Sequence, residues 1–158
     1  MEKPTLYMET TVPSYLLAEP SRDVISLGRQ DITRTWWKRD HSRYAIFISE
    51  VVIQETGRGD RKEAEKRREF LQPFPVLDAT PEVLALIKLY LKIGVVPPEN
   101  AEDAAHFAFA SIHEMEYPCT WNFRHLANVL ALRGLRKLNE KKGLFVPQVC
   151  TPEELLGE

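Results

Sequence analysis

The chain has 158 residues, 44% of them hydrophobic and 28% charged, with a formal net charge of −2. That balance suits one soluble domain over residues 1–158 with a full core, and it excludes a globally basic field that would gather nucleic acid or an anionic membrane by itself. Two cysteines, Cys119 and Cys150, are too few for a disulfide framework, and no apolar run is long enough to span a bilayer, so the expectation is a cytoplasmic protein with reduced core thiols.

The first predicted element is a strand at Leu6–Met8, within TLYMETTVPS at residues 5–14. It stops on a carboxylate, Glu9, followed by Thr10 and Thr11. A dry, unpaired charge at a strand end is costly, so Glu9 either reaches water or meets a neighbour that makes its charge useful. Residues 12–18 (VPSYLLA) are hydrophobic and offer a partner-facing surface. Residues 21–39 place Ile25, Gly28, Ile32 and Trp36 on one helical face. Adjacent tryptophans face different ways, so one of Trp36 and Trp37 is expected in the core and the other at a partner surface.

A second strand, Tyr44–Ile48, leads into a helix over 49–57 that carries Glu50 and Glu55 above Val52, Ile53 and Thr56. Residues 60–72 form a charged helix with thin apolar support from Ala64 and Phe70 or Leu71, and Phe74–Leu77 gives a third strand. Thr80-Pro81-Glu82 opens a helix over 81–93, with threonine at the cap and proline at the first helical position. The helix over 100–115 repeats Ala104, Phe107, Ala108, Ile112 and Met115; Asn100 is its expected cap and Asp103 lies in its first turn. A strand at Tyr117–Thr120 leads to Asn122, a helix over 128–142 repeats Val129, Leu132, Leu135 and Leu138, and a last strand, Val146–Cys150, precedes the capping box Thr151-Pro152-Glu153-Glu154. No internal repeat or low-complexity linker interrupts this order. Strands alternating with helices imply an α/β domain with a mostly parallel sheet, in which ligands gather beyond the carboxyl ends of the strands.

Glu9, Glu50, Glu55, Asp103 and Asn122 fall at strand ends or near the starts of the helices that follow. Each has a plain structural role available: Glu9 as a solvated strand end, Glu50 and Asp103 on helix dipoles, Glu55 paired with Arg58 three residues on, Asn122 as a turn residue. Converged on one rim, the same oxygens are what a hard cation needs, since Mg²⁺ takes oxygen ligands and keeps several waters. Cations so placed flank an in-line displacement at phosphorus.

The order of these residues resembles that of the PIN domain, the fold of VapC-type toxin ribonucleases. The resemblance runs from Leu6 to about Pro152. It is carried most specifically by Asp103-Ala104-Ala105-His106-Phe107-Ala108-Phe109-Ala110 and by Cys119-Thr120-Trp121-Asn122-Phe123-Arg124-His125. It implies a three-layer α/β/α sandwich and a Mg²⁺- or Mn²⁺-dependent endoribonuclease. Glu9, Glu55 and Asp103 take the places of the three acids that hold the metal; Asn122, at a position that is usually aspartate, assists at the metal directly or through water; and Thr10, Thr11 and Thr120 orient ligands or metal waters. Glu50 is not a primary ligand in this alignment. Glu9 also stands where aspartate is usual, and its extra methylene moves the carboxylate. With the charge lost at Asn122, this keeps open the alternative of a catalytically weakened RNA- or protein-binding module. The resemblance further implies an RNA substrate, an antitoxin protein that covers the acidic site, and a homodimer. DNA as substrate is a weaker third option, because the metal chemistry does not distinguish sugars.

His106 and His125 are expected in other roles, His106 packing or bonding its helix to a neighbour and His125 in a surface loop. No His/Cys pair has zinc spacing. Arg58, Arg61, Lys62, Lys66, Arg67 and Arg68 crowd one segment but are balanced by Asp60, Glu63, Glu65 and Glu69. Arg133, Arg136, Lys137, Lys141 and Lys142 face only Glu140, which makes the second cluster the better phosphate candidate.

Overall fold

In the computed structural model, which describes residues 1–122, 124, 126 and 128–157, the short apolar runs become one parallel sheet. Its strands are β1 (Thr5–Met8), β2 (Ala45–Ser49), β3 (Val76–Leu77) and β4 (Tyr117–Cys119), in the order β3-β2-β1-β4. β1 is central, and Leu6, Tyr7 and Met8 are wholly buried. Such a run has no polar alternation because both faces of a parallel strand are covered. Register aligns Met8 with Cys119 and Ser49 with Leu77, so Glu9, Thr120 and Glu50 emerge at one edge of the sheet.

After β1 come α1 (Thr11–Leu17) and α2 (Val24–Asp40); after β2, α3 (Glu50–Thr56) and α4 (Arg61–Leu71); after β3, α5 (Pro81–Ile93) and α6 (Ala101–Ile112). Right-handed crossovers put α1–α4 on one face and α5–α6 on the other, and the packing of α1 on α2 and α4, and of α5 on α6, follows. The result is a three-layer α/β/α sandwich. α7 (Val129–Lys141) and α8 (Pro152–Leu156) complete the chain, with α8 against α2. Helix ends follow local chemistry: Thr80 caps α5, Gly94 at φ 82° closes it, Asn128 caps α7, and Thr151 with Glu154 forms the capping box of α8.

Several expectations change. Val146–Cys150 forms no strand among the described residues, although it runs along β4: the Gln148 and Cys150 amides bond the Glu116 and Pro118 carbonyls at 2.9 Å each, and Cys150 alone bridges Cys119. Asn100 makes no side-chain cap to α6; a 3₁₀ turn at Pro98–Asn100 leads into the helix instead. Of the predicted α2 stripe Trp36 is buried, but Ile25 is 65% exposed, and the rest of the buried face is Gln30, Thr33 and Asp40. Side-chain hydrogen bonds make that polar face tolerable: Gln30 bonds Ser21 and Glu19, and Thr33 accepts from the Trp121 indole. Trp36 is in the core, and Trp37 is half-buried, stacked on His41 and packed on Phe70 and Phe74. The VPSYLLA segment is mostly the helix α1, with Val12 and Pro13 buried.

On the α5–α6 face, the buried Tyr90 hydroxyl donates to Asn139 Oδ1 at 2.6 Å, and Asn139 Nδ2 reaches Ser111 and the Phe145 carbonyl. Tyr90→Phe strips that donor from a buried acceptor and is expected to cost ~1–3 kcal/mol, read as a lower urea midpoint with an unchanged slope.

Candidate active site

Glu9 answers for its own burial. It is 3% exposed, and its Oε2 accepts from the Thr11 amide at 3.0 Å, the Thr11 hydroxyl at 2.5 Å and the Thr120 hydroxyl at 2.6 Å. Glu9 thus serves the N-terminus of α1, where a carboxylate suits both the free amides and the dipole. The Thr120 bond ties β1 to β4 just past their ends, and the Glu9 amide bonds the Cys119 carbonyl at 3.1 Å. This is the crevice where the connections from neighbouring parallel strands diverge, the usual place for a ligand in such sheets.

Glu55 arrives from α3. Its Oε1 accepts from the Thr10 hydroxyl at 2.5 Å and from His106 Nε2 at 2.6 Å. It does not pair with Arg58, which instead binds Glu102 at 2.6 Å. His106 lies 4.0 Å from Glu9 Oε1 and bonds the Tyr7 hydroxyl through Nδ1 at 2.6 Å; Tyr7 also bonds Ser49 at 2.7 Å. An imidazolium satisfies the whole chain of bonds: Nε2–H donates to Glu55, Nδ1–H to Tyr7, and Tyr7 O–H to Ser49.

Burial disfavours the charged form of His106, yet the Glu55 bond and the negative charges of Glu9, Glu55 and Asp103 prevail, and its pKa is raised above the ordinary 6.5. Burial likewise pushes Glu55 up, but the bond and charge of His106, with the Thr10 bond, bring it down to about 2. Burial foremost keeps the Tyr7 phenol well above its usual value, so it stays a neutral donor.

Asp103, on the first turn of α6, accepts from Asn122 Nδ2 at 2.9 Å, and the Asn122 amide bonds the Thr120 hydroxyl at 3.0 Å. Asn122 lines the same open cleft of about 650 Å³ as Glu9, Thr10, Thr11 and Glu55, with Tyr15 and Gln30 also lining it. Among the described residues the tight group is Glu9, Glu55 and His106, each offering one ligand atom within 4.8 Å of the others; Asp103 joins it through Asn122. Glu50 is exposed at the start of α3. His125 lies outside the described residues.

The donor set fits a hard divalent cation. Two carboxylates converge, Glu9 buried and Glu55 half-buried: Glu9 has Oε2 pinned by protein donors and Oε1 toward His106, and Glu55 has Oε1 held by Thr10 and His106. His106 has both ring nitrogens engaged, so it fits the part of a holder of Glu55 better than that of a ligand. Its central place was not read from the sequence. The signal was its position three residues after Asp103, on the same side of α6.

No family model and no curated protein matches the chain. Among solved structures, a chain of the VapBC2 complex from Rickettsia felis, determined bound to a DNA fragment from their promoter, superposes with a TM-score of 0.51 at 13% identity, covering 93% of this chain and 98% of that one. At that identity the likeness is one of fold.

Proposed function

We propose that this chain is a PIN-like, Mg²⁺- or Mn²⁺-dependent endoribonuclease, the toxin of a toxin–antitoxin pair, acting in the cytoplasm as a homodimer. The observation that carries the reading is the convergence of Glu9 and Glu55, from sequence positions 46 apart, on one point of a cleft that Asn122, bonded to Asp103, also lines. Glu9, Glu55 and Asp103 would hold the cation, with Asn122 positioning Asp103. A divalent ion there supplies Lewis acidity at phosphorus and a more acidic water. Thr11 and Thr120 fix the Glu9 carboxylate, and Thr10 and His106 fix that of Glu55, so neither needs to reorganise as charge develops on the phosphate. Water attacks phosphorus and the 3′-oxygen leaves, giving a 5′-phosphate and a 3′-hydroxyl. The solved VapBC2 complex, similar in fold, supports an antitoxin as partner.

The test is cleavage of single-stranded RNA with Mn²⁺. Activity is expected to vanish with chelator and to fall ~100-fold or more in Asp103→Asn; activity indifferent to both overturns the reading. A second reading, a binding module without catalysis, is favoured by His106, which already compensates the carboxylates. Tight RNA binding with no cleavage at saturating Mn²⁺ would select it.

A further inference from the structure

Behind Asp103 lies a second cavity, of about 210 Å³, between the α5–α6 connection and α7. Its size is below the ~300–1,000 Å³ that encloses a drug-sized ligand and several times the ~30 Å³ share of one water, so it suits a single flat ring system. Its walls are aliphatic: Val96, Pro97, Leu126 and Leu135. Gly134 lets α7 come this close, since a Cβ there would meet Val95 Cγ1 at 3.1 Å. The cavity is not greasy throughout. Asp103, Arg124 and Asn128 also line it. Asn128 gives its oxygen to the amides of Leu130 and Ala131, and its amide nitrogen has no acceptor among the described residues. Arg124 is exposed and has no ion pair among the described residues. On α7, Arg133, Arg136, Lys137 and Lys141 are exposed and equally without ion pairs there, whereas on α4 Arg61 and Lys66 are paired with Glu65 and Glu63.

We infer that this cavity is a nucleobase subsite: an unpaired base of a single-stranded nucleic acid enters between Val96 and Leu135, and Arg124 holds the adjoining phosphate. The inference rests on the nuclease reading for the position of the scissile bond, because Asp103 belongs both to this cavity and, through Asn122, to the acidic cleft. A base inserted here places its own backbone phosphate at the junction of the two. Aliphatic walls suit the faces of any base, and the Asn128 amide donates to a ring nitrogen or carbonyl on its edge, which would favour some bases over others. Unstacked bases of single strands are what such a site can reach.

The experiment is ligand-observed NMR with the 5′-monophosphates of adenosine, guanosine, cytidine and uridine in the presence of chelator, with ribose 5-phosphate as the base-free control. At least one nucleotide is expected to bind ten times more tightly than ribose 5-phosphate. Ala131→Trp, which fills the cavity from the half-exposed face of α7, is expected to remove that difference, and Arg124→Gln to weaken nucleotides but not nucleosides. Asn128→Ser, which keeps a helix cap, is a second variant should the tryptophan not fold; it is expected to level the preference among bases. Equal binding of ribose 5-phosphate, or nucleotide binding unchanged in both Ala131→Trp and Asn128→Ser, overturns the subsite. The nuclease reading is tested separately by mapping cut sites in random-sequence RNA. Base-selective binding without any cutting keeps the subsite and removes the nuclease. Cutting whose neighbouring base preference survives both variants removes the subsite and keeps the nuclease.

Discussion

Glu9→Gln is expected to lower Mn²⁺-dependent RNA cleavage by at least ~100-fold while barely moving the melting temperature. The glutamine oxygen still accepts from Thr11 and Thr120, so the link between α1 and β4 survives. What is lost is the charge on the second oxygen, the one that faces His106 and Glu55. An NH₂ group there repels a cation instead of binding it. Glu9→Asp is the sharper variant. It installs the shorter acid, keeps the charge, and withdraws the carboxylate from Thr120 by more than an ångström, a displacement that alone is worth ~100-fold in catalysis. Both should therefore be poor enzymes, with Glu9→Asp also melting lower because its three-donor hold is broken. Single-turnover cleavage and thermal melts of the two variants decide this; wild-type rates in Glu9→Gln would place the chemistry elsewhere.

The second large effect is on stability. His106→Ala leaves the carboxylates of Glu9 and Glu55 facing each other without their cation, leaves Tyr7 without its Nδ1 partner, and opens a void in a residue site only 1% exposed. Removing one member of a buried pair costs ~3–5 kcal/mol, so the domain is expected to lose a large part of its stability. Its pH dependence has a definite sign. The His106 pKa is raised on folding, so its contribution is complete below about 6.5 and fades as pH rises through the folded value. The Glu55 pKa is lowered to about 2 from 4.5, so its contribution is complete above 4.5 and fades as pH falls toward 2. The pair therefore stabilises most between about 4.5 and 6.5. Denaturant midpoints measured across pH should show that plateau in the wild type and a flatter profile in His106→Gln. A His106 ring that titrates below 6.5 by NMR would contradict it.

Divalent ions should stabilise His106→Ala more than the wild type, because in the variant the cation is the sole compensation for two carboxylates. A thermal shift in Mn²⁺ reads this without any turnover.

The sequence by itself determined the alternation of strands and helices, because each signal is local. β-branched and aromatic residues within Leu6–Met8 and Tyr44–Ile48, Thr80-Pro81 and the Thr151 capping box fix backbone conformation within a few residues of themselves. It also determined that Glu9 stands at the end of the first strand, at the edge to which a parallel sheet brings every strand's carboxyl end, whereas Glu55 and Asp103 come from the helices α3 and α6. The tertiary structure alone decided what those acids do there. Glu9 and Thr120 are 111 residues apart and Glu55 and His106 are 51 apart, and no periodicity encodes such a pairing. The buried face of α2 was illegible for the same reason: Gln30 and Thr33 are polar by composition, and only their long-range partners, Trp121 among them, make burial the lower-energy choice. Val146–Cys150 read as a strand from its apolar residues, and the folded chain does lay it along β4 through the Gln148 and Cys150 amides, but with a bridge at Cys150 alone. His106 shows the division most clearly. Helical spacing put it beside Asp103, but its raised pKa comes above all from the Glu55 bond and the charge of Glu9, which only the folded chain brings to the ring.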